Sequence, residues 1–311
     1  MKKVLFFDID GTLLNSELKI PEGVKRELKR LKEAGYYLFV ASGRPLAFIS
    51  NQIIEAGFNG FVLCNGAHVE LNHEIIYENR IPYEKVNDLM NLLENVDCEY
   101  DFETATDCYI DPSYKDFIEF FKVCDIRHEK LIISFDKEEV MHRTLKIEIS
   151  AKKDHDKIIE YIADKFYFDH HGTANSFEIC ALDTSKATGV EKVLEHLNID
   201  KDHSYAFGDG LNDSAALTLS DIGVVMNESA DISKQMSDIL LLDNRLDFFQ
   251  ELDSLSSSLQ TLIKKNIQDT VVVNSSLIGF GLFNWLSPSN LSILHNLTTL
   301  RIVLRSLSIK G

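Results

Sequence analysis

Near its start the chain runs Val4-Leu5-Phe6-Phe7 straight into Asp8-Ile9-Asp10-Gly11-Thr12, and this junction limits the fold more than any other feature. A short apolar run with no polar alternation, spanning residues 3–8, is the pattern of a strand buried on both faces. The following segments keep to the same architecture. Val24, Leu28 and Leu31 recur at helical spacing, with Pro21 at the start and Gly35 just past the end. Residues 36–41 read as a second buried strand, 45–56 as a helix and 61–64 as a third strand. Strand alternating with helix predicts an α/β fold with a doubly wound parallel sheet.

Near Pro82 the rhythm changes. Residues 83–94 are predicted to form an amphipathic helix, 98–110 an alternating strand, 111–121 a helix and 144–150 a strand. A helix at 155–166 and strands at 167–171 and 177–181 complete an α+β module, residues 82–182, inserted between core segments 1–81 and 183–244. After Asp183 the earlier rhythm resumes, with a helix at 188–197 and strands at 204–207, 222–226 and 238–242. Residues 245–311 read as a helical extension: a long helix at 246–267, an apolar stretch at 270–286 and a second helix at 291–309 beyond Ser287-Pro288-Ser289.

The net charge of -17 argues against a nucleic-acid partner, because phosphate backbones need clustered Lys and Arg. A small phosphorylated molecule stays admissible, since local cations and a metal override the global field. The five cysteines include no Cys-x-x-Cys pair and read as thiols of a reducing compartment. The N-terminal apolar run is too short for a signal peptide, so a cytoplasmic body is expected.

Polar residues gather where the strands end. Asp8 and Asp10 stand two apart after the first strand, at the edge where open α/β sheets bind ligands. One acid can attack phosphorus while the other moves protons. An exposed Asp-x-Asp-Gly turn is the competing reading. Ser42-Gly43-Arg44-Pro45 after the second strand offers a hydroxyl, a glycine amide and a helix start, an anion-binding corner or an ordinary capped turn. Asn65-Gly66-Ala67 follows the third strand. Lys186 reads either as a solvated helix-start residue or as a fixed cation for a phosphoryl group. Gly208-Asp209-Gly210-Leu211-Asn212-Asp213 delivers hard oxygen ligands suited to Mg²⁺. His170-His171 read as surface or cleft histidines, Phe117, Phe120 and Phe121 as core of the inserted module or, for one of them, a contact for a substrate ring, and Lys25 to Lys32 as a solvated helix face. Arg44 reads as solvent-facing or as a substrate contact.

Taken in order, Asp8-x-Asp10-Gly-Thr12, Ser42, Lys186 and Gly208-Asp209-Gly-x-Asn212-Asp213 resemble the four motifs of the haloacid dehalogenase superfamily. The variants Ser-Gly-Arg-Pro, Asn-Gly-Ala and Gly-Asp-Gly-x-Asn-Asp are similar to its Cof-type branch, over about residues 1–243. The resemblance implies a Rossmannoid core with an inserted α/β cap and phosphomonoesterase activity on small phosphorylated metabolites such as sugar phosphates, flavin mononucleotide or pyridoxal phosphate. It implies Asp8 as the nucleophile that becomes an aspartyl phosphate and Asp10 as the acid and base. Ser42 and Lys186 would hold phosphoryl oxygens, with Thr12, Gly43 and Asn212 beside them. Mg²⁺ would be bound by Asp8, the Asp10 carbonyl and Asp209, with Asp213 directly or through water.

The C-terminal end resembles that of heavy-metal P-type ATPases, through Asp238-Ile-Leu-Leu-Leu-Asp243, Lys265-Asn266 and Leu286-Ser-Pro288. Its first apolar stretch is short for a span and its second carries Arg301 and Arg305, so association with a membrane surface or another copy is expected instead. A membrane-associated regulator or phospho-ligand sensor with vestigial catalysis is the alternative reading. Asp10 counts against it, because the pump motif Asp-Lys-Thr-Gly-Thr lacks an acid two residues after the nucleophile.

Overall fold

The computed structural model describes residues 2–124, 126–170, 175–242 and 249–307, without the side chains of Val123 and residues 249–257. Two compact units result, Met1–Leu246 and Asp247–Gly311.

The first unit opens with β1 (Val4–Phe7), α1 (Glu22–Glu33), β2 (Tyr37–Ala41), a short α2 (Asn51–Ile54), β3 (Gly60–Leu63) and the hairpin β4 (His68–Leu71) and β5 (Glu74–Glu78). Then come α3 (Tyr83–Leu93), β6 (Cys98–Glu103), β7 (Cys108–Ile110), α4 (Lys115–Val123), β8 (Leu131–Ile132) and α5 (Lys137–Met141). The inserted part ends with β9 (Lys146–Ala151), α6 (His155–Ile162), β10 (Phe166–His170) and β11 (Ser176–Ala181). The chain returns through α7 (Lys186–Leu197), β12 (Ser204–Gly208), α8 (Ser214–Leu219), β13 (Ile222–Met226), α9 (Asp231–Met236) and β14 (Ile239–Leu241).

The core sheet has the order β14-β13-β12-β1-β2-β3-β4-β5. It is parallel from β14 to β3, and the β4–β5 hairpin adds two antiparallel strands at one edge. β1 pairs on both sides, Phe7 lying opposite Phe207 and Val40, and all four of its side chains are buried. This register aligns the carboxyl ends of β1, β2, β3 and β12, so the residues that follow them meet at one edge of the sheet.

A second sheet, β10-β11-β9-β6-β7-β8, forms the cap and is antiparallel except between β7 and β8. One face carries Phe102, Ile147, Ile149, Phe177 and Ile179, packed with Val86 and Leu89 of α3 and Ile158 and Ile162 of α6.

Several local expectations need correction. Residues 45–56 form no single helix: a tight turn at Leu46–Phe48 is followed by extended Ile49 and Ser50, and α2 covers only Asn51–Ile54. The cap explains the break. Arg127 donates its side chain to the Leu46 carbonyl and its amide to the Ala47 carbonyl, satisfying groups a continuous helix would have used itself. Residues 98–110 are two strands, turned at Thr104–Asp107 by the Thr104 amide donating to the Asp107 carbonyl and by the Thr104 hydroxyl, which donates to that carbonyl and accepts the Asp107 amide. The helix predicted at 155–166 ends at Ile162, and Phe166 opens β10. His171 and the boundary at 244 lie outside the described residues.

The second unit is a helical hairpin, α10 (Phe249–Leu282) and α11 (Pro288–Ser306). The stretches expected as separate at 246–267 and 270–286 are joined in one helix over their described part, from Phe249 to Leu282, because no Gly or Pro stands between Asp247 and Gly279. Ser287 caps α11 by accepting from the Asn290 amide, with Pro288 in the first turn. Arg305 joins the helices through Asp269 at 2.6 Å and Asn266 at 3.2 Å, and His295 meets Asn274 at 3.1 Å. Among the described residues no helix is long and apolar enough to cross a membrane.

Candidate active site

Asp8 continues the β1 ladder by donating its amide to the Phe207 carbonyl at 2.8 Å, and its buried side chain sits at the aligned strand ends. Lys186, the first residue of α7, is placed by Ser185, whose hydroxyl accepts from the Thr188 amide. Its buried ammonium lies 2.7 Å from Asp8 Oδ1 and 2.6 Å from Asp213 Oδ1. The other Asp213 oxygen accepts the amides of Asp209 and Gly210, each at 3.0 Å, which fixes the loop after β12. Gly11 is required where the two loops meet. Its φ is +70°, and a Cβ there would stand 2.1 Å from Asp209 Oδ2.

Asp10 is half-exposed and is held by Arg44 through two parallel bonds, Nε to Oδ2 at 2.8 Å and Nη2 to Oδ1 at 2.7 Å. Arg44 also donates to the Phe48 carbonyl, so it is a clamp on Asp10 rather than a solvent-facing side chain. Ser42 is buried and its Oγ accepts the Arg44 amide. Asn212 donates to Asn65 Oδ1 at 3.3 Å, and Asn65 donates to Glu178 of the cap at 2.5 Å.

A cavity of about 460 Å³ lies between the core edge and the cap. Asp8, Asp10, Ser42, Gly43, Asp209 and Asn212 border it from the core. Thr12, Lys186 and Asp213 do not: Lys186 and Asp213 stand behind Asp8, and the buried Thr12 hydroxyl has no hydrogen-bond partner among the described residues. Phe48, Phe120 and Phe121 form an apolar wall. Phe117 and Phe121 are buried in the cap as expected, whereas Phe120 is 49% exposed.

A family model described as haloacid dehalogenase-like hydrolase matches residues 5–247. The chain belongs to this family. The 5-amino-6-(5-phospho-D-ribitylamino)uracil phosphatase YitU of Bacillus subtilis is 26% identical over 267 residues, which cover 81% of this chain and 98% of YitU. The haloacid dehalogenase subclass IIB sugar phosphatase BT4131 has the same fold, with a TM-score of 0.70 at 24% identity, covering 81% of this chain and 99% of BT4131. This member of the haloacid dehalogenase-like hydrolases is a phosphatase. A protein of Enterococcus hirae named as copper-importing P-type ATPase A is 31% identical over 102 residues, 33% of this chain and 14% of that protein.

The charge balance of this hydrolase fits a divalent cation. Asp8, Asp209 and Asp213 bring carboxylate oxygens within 4.8 Å of one another, and among the described residues the Lys186 ammonium is the cation paired with Asp8 and Asp213. Burial pushes Asp8 up to about 8 against the opposing pull of Lys186, with Asp213 raising it further. Burial, aided by Asp213, likewise pushes Asp209 up to about 6. Burial would lower Lys186, but Asp213 and Asp8 outweigh it and hold the ammonium above its ordinary value. With all three ionised, three carboxylates against one ammonium would leave an excess of two negative charges, a repulsion that adds to burial in raising Asp8 and Asp209, and hard oxygen donors are what Mg²⁺ takes.

The sequence reading missed the cap's share of this hydrolase site: Lys146, Glu148 and Glu178 border the cavity opposite Asp8. The signal was strict alternation, Glu99-x-Asp101-x-Glu103 on one strand and Lys146-x-Glu148 on another, interleaved with apolar residues.

Proposed function

We propose that this phosphatase hydrolyses monoesters of small phosphorylated metabolites in two steps on Asp8, with Mg²⁺ as cofactor. The observation that carries the reading is Asp8 itself, buried beside Lys186 and bordering a cavity that also receives the Asp10 carboxylate. Asp8 Oδ attacks phosphorus while the leaving oxygen takes a proton from Asp10, yielding an aspartyl phosphate and the free alcohol. Water then gives a proton to Asp10 and attacks the same phosphorus, releasing inorganic phosphate and restoring Asp8. Ser42, Gly43 and Asn212 border the cavity where the phosphoryl oxygens would lie, with Thr12 beneath them. Lys186 offsets charge behind the nucleophile. Mg²⁺ would be held by Asp8, the Asp10 carbonyl and Asp209, with Asp213 directly or through water, and when bound it shields the phosphate charge from the attacking carboxylate. Asp10 favours turnover over a standing phosphoenzyme.

The test is phosphate release from sugar phosphates, nucleotides and cofactor phosphates, in Mg²⁺ and in EDTA, with intact-mass spectra of Asp10→Asn after mixing with p-nitrophenyl phosphate, whose leaving group departs without a proton. Release only in Mg²⁺ is expected, and the variant should retain one phosphoryl group. No Mg²⁺-dependent release from any compound overturns the reading.

For the hairpin we infer pairing with a second copy. Leu291, Thr298, Ile302 and Arg305 of α11 are its less exposed stripe, and Arg305 reaches α10. The opposite stripe, Ile293, Leu297, Leu300, Leu304 and Leu307, is exposed and alternates steps of four and three, the seam spacing of a coiled coil. Light scattering should find a dimer for the full chain and a monomer for Leu300→Glu. A monomeric full chain, or sedimentation with anionic vesicles in place of dimerisation, removes this inference.

A further inference from the structure

Period-2 alternation in the cap sheet places its charges on one face, opposite the apolar cluster under α3 and α6. β6 contributes Asp101 and Glu103, β9 contributes Lys146 and Glu148, and β11 contributes Glu178. Lys146, Glu148 and Glu178 border the cavity that holds Asp8 and Asp209.

The cations here are already committed. Lys146 is 3% exposed, and its ammonium lies 3.1 Å from Glu103, 2.9 Å from Glu178 and 2.9 Å from the Gly43 carbonyl. An ammonium has three protons, and three oxygens of the protein surround this one. Arg44 is likewise engaged by Asp10 and the Phe48 carbonyl. Neither offers an uncommitted positive charge to a second anionic group on a ligand. Glu103, Glu148 and Glu178 outnumber the single Lys146 ammonium on this face, and Glu148 and Glu178 are the acids among them that border the cavity. Carboxylates accept hydrogen bonds from hydroxyls and repel anions, and the Phe48, Phe120 and Phe121 wall suits the C–H side of the same ligand.

We propose that this cap face selects substrates by the charge of the part that is not phosphate. A phosphomonoester with an uncharged, hydroxyl-bearing remainder is accepted; one whose remainder carries a carboxylate or second phosphate is rejected, with Glu148 and Glu178 as the specificity-determining residues. This rests on the catalytic reading above and adds the substrate class to it.

Matched pairs differing in one charge test it: glucose 6-phosphate against 6-phosphogluconate, and glycerol 3-phosphate against 3-phosphoglycerate, with p-nitrophenyl phosphate as a common reference. The neutral member of each pair should have the higher kcat/KM, on the order of 100-fold, the effect of one like charge a few ångströms away at an effective interior dielectric near 20. In Glu148→Gln that ratio should fall about tenfold, chiefly through a lower KM for the anionic member. Glu178→Gln should move it the same way, read only where its melting temperature stays near wild type, because Glu178 also supports Lys146 and Asn65. Each ratio is taken within one protein, so a general loss of activity cancels. A wild-type ratio near one, a ratio unmoved in Glu148→Gln, or p-nitrophenyl phosphate hydrolysis with release from neither pair overturns the charge selection alone. Loss of Mg²⁺-dependent release from every compound overturns the catalytic reading instead.

Discussion

Asp8→Asn is expected to lower phosphate release by about 10⁴-fold or more while raising the melting temperature of the metal-free protein. The loss follows from chemistry: an amide oxygen does not form the acyl phosphate, and removing a nucleophile costs enzymes rate factors of about this size. The gain follows from electrostatics. Asp8 is buried beside Asp213, and burial lifts it from 3.8 to about 8 even with Lys186 in contact. A carboxyl with a raised folded-state value stabilises the fold fully only below its unfolded value. That contribution is lost as pH rises towards the folded one. The metal-free wild type should therefore lose stability between about pH 4 and pH 8, and Asp8→Asn should flatten the decline. Mg²⁺ should restore the wild type at pH 8 far more than the variant. Thermal melts across this range in EDTA and in Mg²⁺ decide it; equal pH slopes for the two proteins would show that Asp8 does not carry the strain.

The second large effect is on Lys186. Replacing it by methionine removes the cation within 2.7 Å of two buried acids, Asp8 and Asp213. Breaking a buried ion pair from one side costs about 3–5 kcal/mol, because the remaining charge stays out of water. Lys186→Met should melt correspondingly lower and lose most of its activity. The double variant Lys186→Met, Asp213→Asn separates the two losses: stability should recover in part, non-additively, and activity should not. A melting temperature for Lys186→Met within a degree or so of wild type would contradict the role of Lys186 as the counter-charge.

The legible parts of this molecule are those in which local sequence and tertiary position coincide. A buried strand that ends in Asp8 must put that acid at the sheet edge, and the same reasoning reaches Ser42 and Asp209 through the parallel register. Lys186 was visible only through its motif, since nothing in its neighbourhood tells a helix-start lysine from one sealed between two acids. The Arg44 clamp was not legible, because it depends on a pairing across 34 positions in sequence. The break in residues 45–56 was hidden for a similar reason: the bonds that replace the helix come from Arg127, inside the cap insertion. The turn between β6 and β7 contains no glycine or proline, only a threonine hydroxyl bonded to the Asp107 carbonyl. The cap acids carried a period of two in plain view, but alternation alone does not say whether the polar face meets water or a ligand.

In the cap strands, packing and recognition occupy opposite sides of the same few residues. Exchanging Glu148 or Glu178 leaves Ile147, Ile149, Phe177 and Ile179 to close on α3 and α6 as before. A lineage built on this sheet can change its diet by point substitution without rebuilding its hydrophobic core, while the nucleophile across the cavity stays constant. Divergence in what such enzymes consume would then be quick, and divergence in how they consume it slow.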